Sequence, residues 1–144
     1  MKLIKSAFIA CSIALLTAGC SSNSGLTIAT TDDVQQMIDD QQTGFVVITN
    51  EIDAPFLDEI EKALLEKKET SLQFNVFRNN GKNQNSDGLS KNPFRSEMSH
   101  VNTLYYVKGG QTYGEYDLET FEGLRQQEEL GHFINSMTGG EANE

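Results

Sequence analysis

The chain has 144 residues, of which 21 are acidic and 11 are lysine or arginine, giving a formal net charge of −10 at neutral pH. This length is enough for one domain with its own hydrophobic core. The acidic balance argues against nucleic acid as a partner, because a surface that binds nucleic acid needs basic side chains.

Residues 1–19 have the organisation of a bacterial lipoprotein signal peptide. A positively charged start leads into the apolar run 7–16, which is shorter than the about 20 residues of a membrane span. The run is followed by small residues and then by Cys20, a pattern that resembles the lipobox. The resemblance implies cleavage just before Cys20 and lipid attachment to its thiol, with residues 20–25 as a short tether. An ordinary signal peptide with an incidental cysteine is the alternative.

The cysteines limit the chemistry of the exported domain. The chain has only Cys11 and Cys20. Cys11 would leave with the signal peptide, and the sulfur of Cys20 would be used by the lipid. The sequence therefore predicts a domain without disulfides and without thiolate metal sites.

From residue 26 onwards the sequence alternates between strand and helix patterns. Residues 26–29 predict a short strand, and a helix capped by Thr30 or Thr31 follows with apolar positions at helical spacing. The continuous apolar run 45–49 predicts a strand that is buried on both faces.

A second helix is predicted to begin near Asp53 as N-cap, with Pro55 in its first turn, and to end near Lys68. Alternating apolar residues then predict a strand over 72–76. The following residues, 79–99, predict a long polar loop with one helical turn.

The C-terminal part predicts two strands, 103–108 and 112–117, joined by a two-glycine hairpin turn. Strand alternation places Tyr105 and Tyr106 on opposite faces, so we expect one of them in the core and the other in contact with water. A final amphipathic helix ends at Gly139, where the C-terminal tail 139–144 begins.

This order of elements predicts an α/β fold. The first connections are βαβ crossovers and imply parallel strands, whereas the hairpin adds an antiparallel edge. We expect a mixed sheet of four to five strands with helices on both faces.

Residues 26–138 resemble a thioredoxin-fold domain. Residues 45–49 resemble the central strand of that family, residues 101–111 resemble its Val-Pro-Thr-Leu strand and hairpin, and residues 130–134 resemble its terminal helix. In detail the chain is similar to thioredoxin-like lipoproteins of Gram-positive bacteria, among them the bacteriocin transport accessory proteins. The resemblance implies a thioredoxin-like domain with a peptide-binding groove beside the redox motif.

The redox motif of that family is not present. Its Cys-x-x-Cys sequence is replaced by Asp-Ala-Pro-Phe at 53–56, so that Asp53 and Phe56 stand where the cysteines would be. A carboxylate and a phenyl ring cannot exchange disulfides. Asn102 replaces the proline, usually cis, before the fourth strand, and we expect a trans peptide because a non-proline cis bond costs about 2.5–4 kcal/mol. We therefore expect no oxidoreductase activity and no other enzyme activity.

Metal and cofactor sites are not predicted either. Residues 83–88 imitate the start of a calcium-binding loop, but Phe94 stands where a bidentate glutamate is needed. His100 and His132 have no second ligand at a metal-binding spacing. We expect neither metal nor cofactor.

The leading functional hypothesis is a redox-inactive, lipid-anchored module on the extracytoplasmic side of the cell membrane. Its expected partners are the membrane, through the lipid, and an envelope protein or extended peptide. The alternatives are a lipoprotein that binds a small ligand or a divalent ion, and an accessory protein for peptide export. The predicted contact residues are Asp53, Ala54, Pro55, Phe56, His100, Val101, Asn102 and Thr103.

Overall fold

A computed structural model of the chain describes residues 25–50, 54–78 and 91–139. The predicted signal peptide, Cys20, Asp53 and the predicted calcium-like loop lie outside these residues. The elements of the described part are β1 (Leu26–Ile28), α1 (Thr31–Asp39), β2 (Gly44–Thr49), α2 (Pro55–Glu66), β3 (Ser71–Asn75), β4 (Thr103–Lys108), β5 (Gln111–Asp117) and α3 (Gly123–Thr138).

The strands form a mixed sheet in the order β1-β3-β2-β4-β5. The strands β1, β3 and β2 run parallel, whereas β4 is antiparallel to β2 and β5 is antiparallel to β4. This order and these directions are those of the thioredoxin fold, so the predicted α/β fold class is confirmed with five strands.

Helices cover both faces of the sheet, as predicted, and β2 contributes to the core on both sides. Phe45 and Val47 pack in one cluster with α2 and α3. Val46 and Ile48 pack in a second cluster with α1 on the opposite face. Because all four side chains are buried, the continuous apolar run identified a doubly covered strand correctly.

The two N-terminal helices begin differently. Thr30 is the N-cap of α1, and a capping box forms because Asp33 accepts from the main-chain N–H of Thr30 while the Thr30 hydroxyl accepts from that of Asp33. The N-cap of α2 is Ala54 rather than Asp53, and its side chain makes no capping bond. The prediction of Asp53 as N-cap is therefore wrong. A residue before proline is held in extended conformation, so the helix starts at Pro55 and the residue directly before it becomes the N-cap.

The described end of the long loop contains the predicted helical turn. The main-chain N–H of Met98 donates to the carbonyl oxygen of Phe94 at 2.6 Å. Both side chains are fully buried, and the ring of Phe94 lies 5.2 Å from that of Phe74. This turn therefore supplies part of the core on the α1 face of the sheet.

The hairpin differs from the prediction in one respect. Tyr105 and Tyr106 do face opposite sides, but both are buried, so the expectation that one of them contacts water is wrong. The reason is that both faces of β4 are covered, one by the turn around Phe94 and the other by α2 and α3. A β-bulge between β4 and β5 places Tyr113 beside Tyr106, with the ring centroids 6.4 Å apart.

Candidate functional site

The predicted contact residues lie where β2 ends, α2 begins and the chain enters β4. Ala54 is buried, Pro55 is exposed and Phe56 is a partly buried side chain that packs against the core. His100 is exposed, as is Val101. The structure thus brings the α2 start and the β4 approach to the same end of the sheet, and Asp53 lies outside the described residues.

The side chain of Asn102 is buried and hydrogen-bonds to other parts of the chain, rather than lying on the surface. Asn102 is 3% exposed and has a φ of 52°, in the left-handed region that asparagine tolerates better than most residues. Its Oδ1 accepts from the Thr49 hydroxyl at 3.0 Å and from the main-chain N–H of Asn50 at 3.3 Å. Its Nδ2 donates to Oε1 of Glu119 at 2.7 Å. The side chain of Asn102 therefore links the end of β2 to Glu119 in the turn after β5.

The backbone at Asn102 has the predicted trans geometry, since the described residues contain no cis peptide bond. The carbonyl oxygen of Asn102 accepts from the main-chain N–H of Leu118 at 3.0 Å, which extends the pairing of β4 and β5 by one step. Thr103, next in the chain, is also 3% exposed, and its hydroxyl donates to the carbonyl oxygen of Val101. Asn102 and Thr103 are therefore buried residues beneath the surface of the site.

Two open clefts lie on either side of Glu119. The first, the His100 cleft, has a volume of about 480 Å³ and is lined by His100, Val101 and Thr103 among others. The second, the Phe56 cleft, has a volume of about 450 Å³ and is lined by Pro55 and Phe56 among others. Glu119 lines both clefts. The groove predicted from the sequence is therefore divided in two.

Both clefts are acidic. Glu115 and Asp117 join Glu119 in the His100 cleft, whereas Glu59 and Glu122 join it in the Phe56 cleft. The residues that line the two clefts include no lysine or arginine, and Nδ1 of His100 lies 3.7 Å from a carboxylate oxygen of Glu115. These surfaces therefore favour cationic groups over anionic ones.

Sequence reasoning missed all five of these acids. Glu115 and Asp117 are two positions apart on a strand, and that spacing predicts a shared face. No sequence spacing predicts that α2, β5 and the turn after β5 lie close together in the fold, because this depends on contacts between distant parts of the chain.

A buried tyrosine fixes the position of the His100 backbone. The Tyr105 hydroxyl accepts from the main-chain N–H of His100 at 2.8 Å and donates to its carbonyl oxygen at 3.0 Å. Burial raises the pKa of Tyr105 above its ordinary value of 10.0, so the hydroxyl stays protonated at neutral pH and can make both bonds. The main chain just before β4 is therefore held in position by the hydroxyl of a core tyrosine.

The lining of the two clefts offers carboxylates, hydroxyls, an imidazole, an aromatic ring and the amide of Gln126, whose Nε2 donates to the carbonyl oxygen of Leu118. No cysteine occurs beyond residue 20 of the sequence, so this surface has no thiol. Within residues 25–50, 54–78 and 91–139, no group of three histidine, aspartate or glutamate side chains is arranged to hold a metal ion. None of the helices in the same part of the chain is both long enough and apolar enough to cross a membrane.

Comparisons with known proteins give a limited result. A scan against models of protein families finds no match, and a search of curated proteins finds none either. A search of solved structures finds a chain described as "A putative oxidoreductase with a thioredoxin fold". The two chains share 17% sequence identity at a TM-score of 0.49, and the match covers 72% of this chain and 93% of the other.

Proposed function

We propose that this chain is a lipid-anchored protein of the cell envelope that binds an extended segment of another envelope protein and performs no redox chemistry. The observation that carries the proposal is the pair of open clefts that meet at Glu119. They lie at the position where the thioredoxin resemblance implies a groove for extended peptides. The residues that would perform disulfide exchange are replaced there by Asp53 and Phe56.

The geometry beside Glu119 supports binding rather than catalysis. The Asn102 side chain is engaged by Thr49, Asn50 and Glu119, so its polar atoms are occupied by the protein itself. The exposed groups that remain at the His100 cleft are the Ser99 hydroxyl, the His100 ring, the Val101 side chain and carboxylates. Such a mixture of apolar and charged groups suits the side chains of a bound polypeptide.

Anchoring through Cys20 is part of the proposal and rests on the sequence of residues 1–25. A lipid at this position would hold the domain close to the extracytoplasmic face of the membrane. Metabolic labelling with a palmitate analogue tests this directly. We expect label on the wild-type chain and none on the Cys20→Ser variant, and equal labelling of both would contradict the anchor.

Partner binding is tested by comparing variants at the Phe56 cleft with a variant on β1. All are produced as the full chain, at native level, in cells. Phe56→Ala removes the ring that lines the Phe56 cleft, and Glu122→Lys reverses an exposed charge beside it. Ile28→Ala is the matched control, because Ile28 is 87% exposed on β1, at the opposite edge of the sheet. After crosslinking and purification, we expect one protein to be retained with Ile28→Ala and lost with both cleft variants.

Thermal unfolding of the same variants separates loss of binding from loss of folding. Glu122 is the exposed N-cap of α3 and makes no side-chain capping bond. Glu122→Lys should therefore lower the free energy of unfolding by no more than the about 0.3–1 kcal/mol that a positive charge costs at a helix N-terminus, and the variant should stay folded. The proposal is wrong if a well-folded Glu122→Lys and a well-folded Phe56→Ala both retain every protein that the wild type retains.

A further inference from the structure

The strand β5 forms one edge of the sheet and leaves a set of main-chain groups unpaired within the described residues. Its inner side pairs with β4 over Thr103–Lys108, and no strand of the described part pairs with its outer side. An open strand edge is a template for another extended chain, because each outward N–H and C=O can join a new ladder.

The register identifies which residues present these groups. The main-chain N–H of Leu118 donates to Asn102, and the pairs Leu104 with Tyr116 and Tyr106 with Gly114 follow at alternate positions. In an antiparallel ladder the residues between such pairs direct their N–H and C=O away from the partner strand. The outward main-chain groups of β5 are therefore those of Glu115 and Asp117.

The same two residues carry the acidic side chains of the His100 cleft. Both side chains are exposed and line the His100 cleft, as does Glu119. A strand added to β5 would place alternate side chains directly beside Glu115 and Asp117, where opposite charges stabilise the pairing and like charges oppose it.

We propose that the outer edge of β5 receives an extended, lysine- or arginine-containing segment of a partner protein by strand addition. This inference rests on the proposed function, since it names the docking strand and the chemistry of the partner inferred there. A second copy of this chain is the wrong occupant. The chain carries a net charge of −10, and pairing two β5 edges would bring their acidic side chains together.

The test is a titration of the full chain, purified in a neutral detergent, followed by the NMR signals of its main-chain amides. The probe is a synthetic peptide as long as β5 in which lysine and valine alternate. Two further peptides are the controls, one with glutamate in place of lysine and one with all of its main-chain amides methylated, so that neither edge can donate to a strand. We expect the signals of Glu115 and Asp117 to shift with the lysine peptide alone.

Charge variants provide the second measurement. Glu115→Gln should weaken binding of the lysine peptide about threefold and Glu115→Lys about tenfold, because the latter also adds repulsion. Glu128→Lys, a reversal of an exposed acid on α3, is the matched control and should leave the affinity unchanged. Glu115 is exposed and its nearest charged partner is the exposed ring of His100, so these variants are expected to fold normally.

Each result decides a separate point. Equal binding of the methylated and unmethylated lysine peptides would overturn strand addition, and equal binding of the glutamate peptide would overturn the charge preference. Shifts confined to Phe56, Glu59 and Gln126, which line the Phe56 cleft, would overturn the docking strand while leaving the proposed function standing. Absence of binding by the lysine peptide would overturn the inference, and the retention experiment with Glu122→Lys would then decide the proposed function independently.

Discussion

Asn102 links β2 to the turn after β5 through a side chain that is buried and in a left-handed backbone conformation. Asn102→Ala should lower the free energy of unfolding by about 3 kcal/mol, because it removes the hydrogen bonds to Thr49, Asn50 and Glu119 and places a Cβ-bearing residue without a polar side chain at positive φ. Asn102→Gly removes the same bonds without the backbone strain and should lower it by about 2 kcal/mol. Urea denaturation measures both.

The comparison between these two variants checks the explanation. If Asn102→Gly destabilises the chain more than Asn102→Ala does, the positive φ is not the reason for asparagine at this position. If neither changes the free energy of unfolding by more than about 0.5 kcal/mol, as at an ordinary surface position, the connection between the strands does not stabilise the fold.

Two tyrosines on neighbouring strands should respond in opposite ways to loss of the hydroxyl. Tyr105→Phe removes two hydrogen bonds to the His100 backbone and should lower the free energy of unfolding by about 1–2 kcal/mol. The Tyr116 hydroxyl is buried, and the described part of the chain offers it no hydrogen-bond partner. Tyr116→Phe should therefore leave the free energy unchanged or raise it by up to about 1 kcal/mol.

Thermal or urea unfolding distinguishes the two tyrosine variants. Burial raises the pKa of Tyr116 as well as that of Tyr105, so both hydroxyls are protonated at the pH of the measurement and protonation does not explain a difference. A Tyr116→Phe variant that loses as much stability as Tyr105→Phe would show that the Tyr116 hydroxyl has a partner that this account does not include.

At the scale of the elements, the turn between β4 and β5 contains two glycines with different constraints. Both have positive φ, 60° for Gly109 and 76° for Gly110. A Cβ on Gly110 would lie 2.4 Å from the carbonyl oxygen of Ile38 at the end of α1, whereas a Cβ on Gly109 would meet nothing within 4 Å. Gly110→Ala should therefore destabilise the fold by at least about 2 kcal/mol, and Gly109→Ala by about 1 kcal/mol.

The two glycine variants are compared by the shift in the urea midpoint of unfolding. Gly109→Ala is the control for conformational strain alone. Equal effects at the two positions would mean that α1 does not pack against the hairpin as described.

The elements that could be predicted from the sequence are those with a local signal. The buried strand over Phe45–Thr49, the threonine cap of α1 and the two-glycine hairpin each depend on a few consecutive residues, and the structure has all three, with Thr30 rather than Thr31 as the cap. The N-cap of α2 was assigned wrongly because aspartate is a common cap, but the constraint that proline places on the preceding residue is stronger at this position.

The candidate site could be predicted only in part. The sequence identified the segments around Phe56 and His100 through resemblance, and the structure brings them to one end of the sheet. It gave no indication of Glu119, which belongs to the turn after β5 and reaches Asn102 across 17 residues. It also suggested that Asn102 faces the groove, whereas that side chain is buried and accepts hydrogen bonds from the Thr49 hydroxyl and the main-chain N–H of Asn50.

At the scale of the whole molecule, the proposed lipid anchor would affect the two edges of the sheet differently. The chain enters the sheet at β1, six residues after Cys20, whereas β5 is the opposite edge. Four strand spacings separate the two edges, a distance of about 19 Å. A lipid on Cys20 would therefore hold the β1 edge nearer to the membrane and leave β5 with its acidic cleft directed towards other envelope proteins.

At the same scale, the proposed binding function does not depend on thiol chemistry. The sheet and helices position the ends of β2 and β4 through core contacts that involve no cysteine. The fold can therefore hold the two clefts in place without a cysteine. This account expects the chain to bind its partner equally well under reducing and oxidising conditions.

The most direct test of partner binding places a photoreactive residue at position 56 in living cells, with position 28 as the matched control on the opposite edge of the sheet. We expect irradiation to produce one discrete covalent adduct with an envelope protein from position 56, unaffected by reductant, and no such adduct from position 28. The account is contradicted if position 56 yields no protein adduct, or if both positions yield the same adducts.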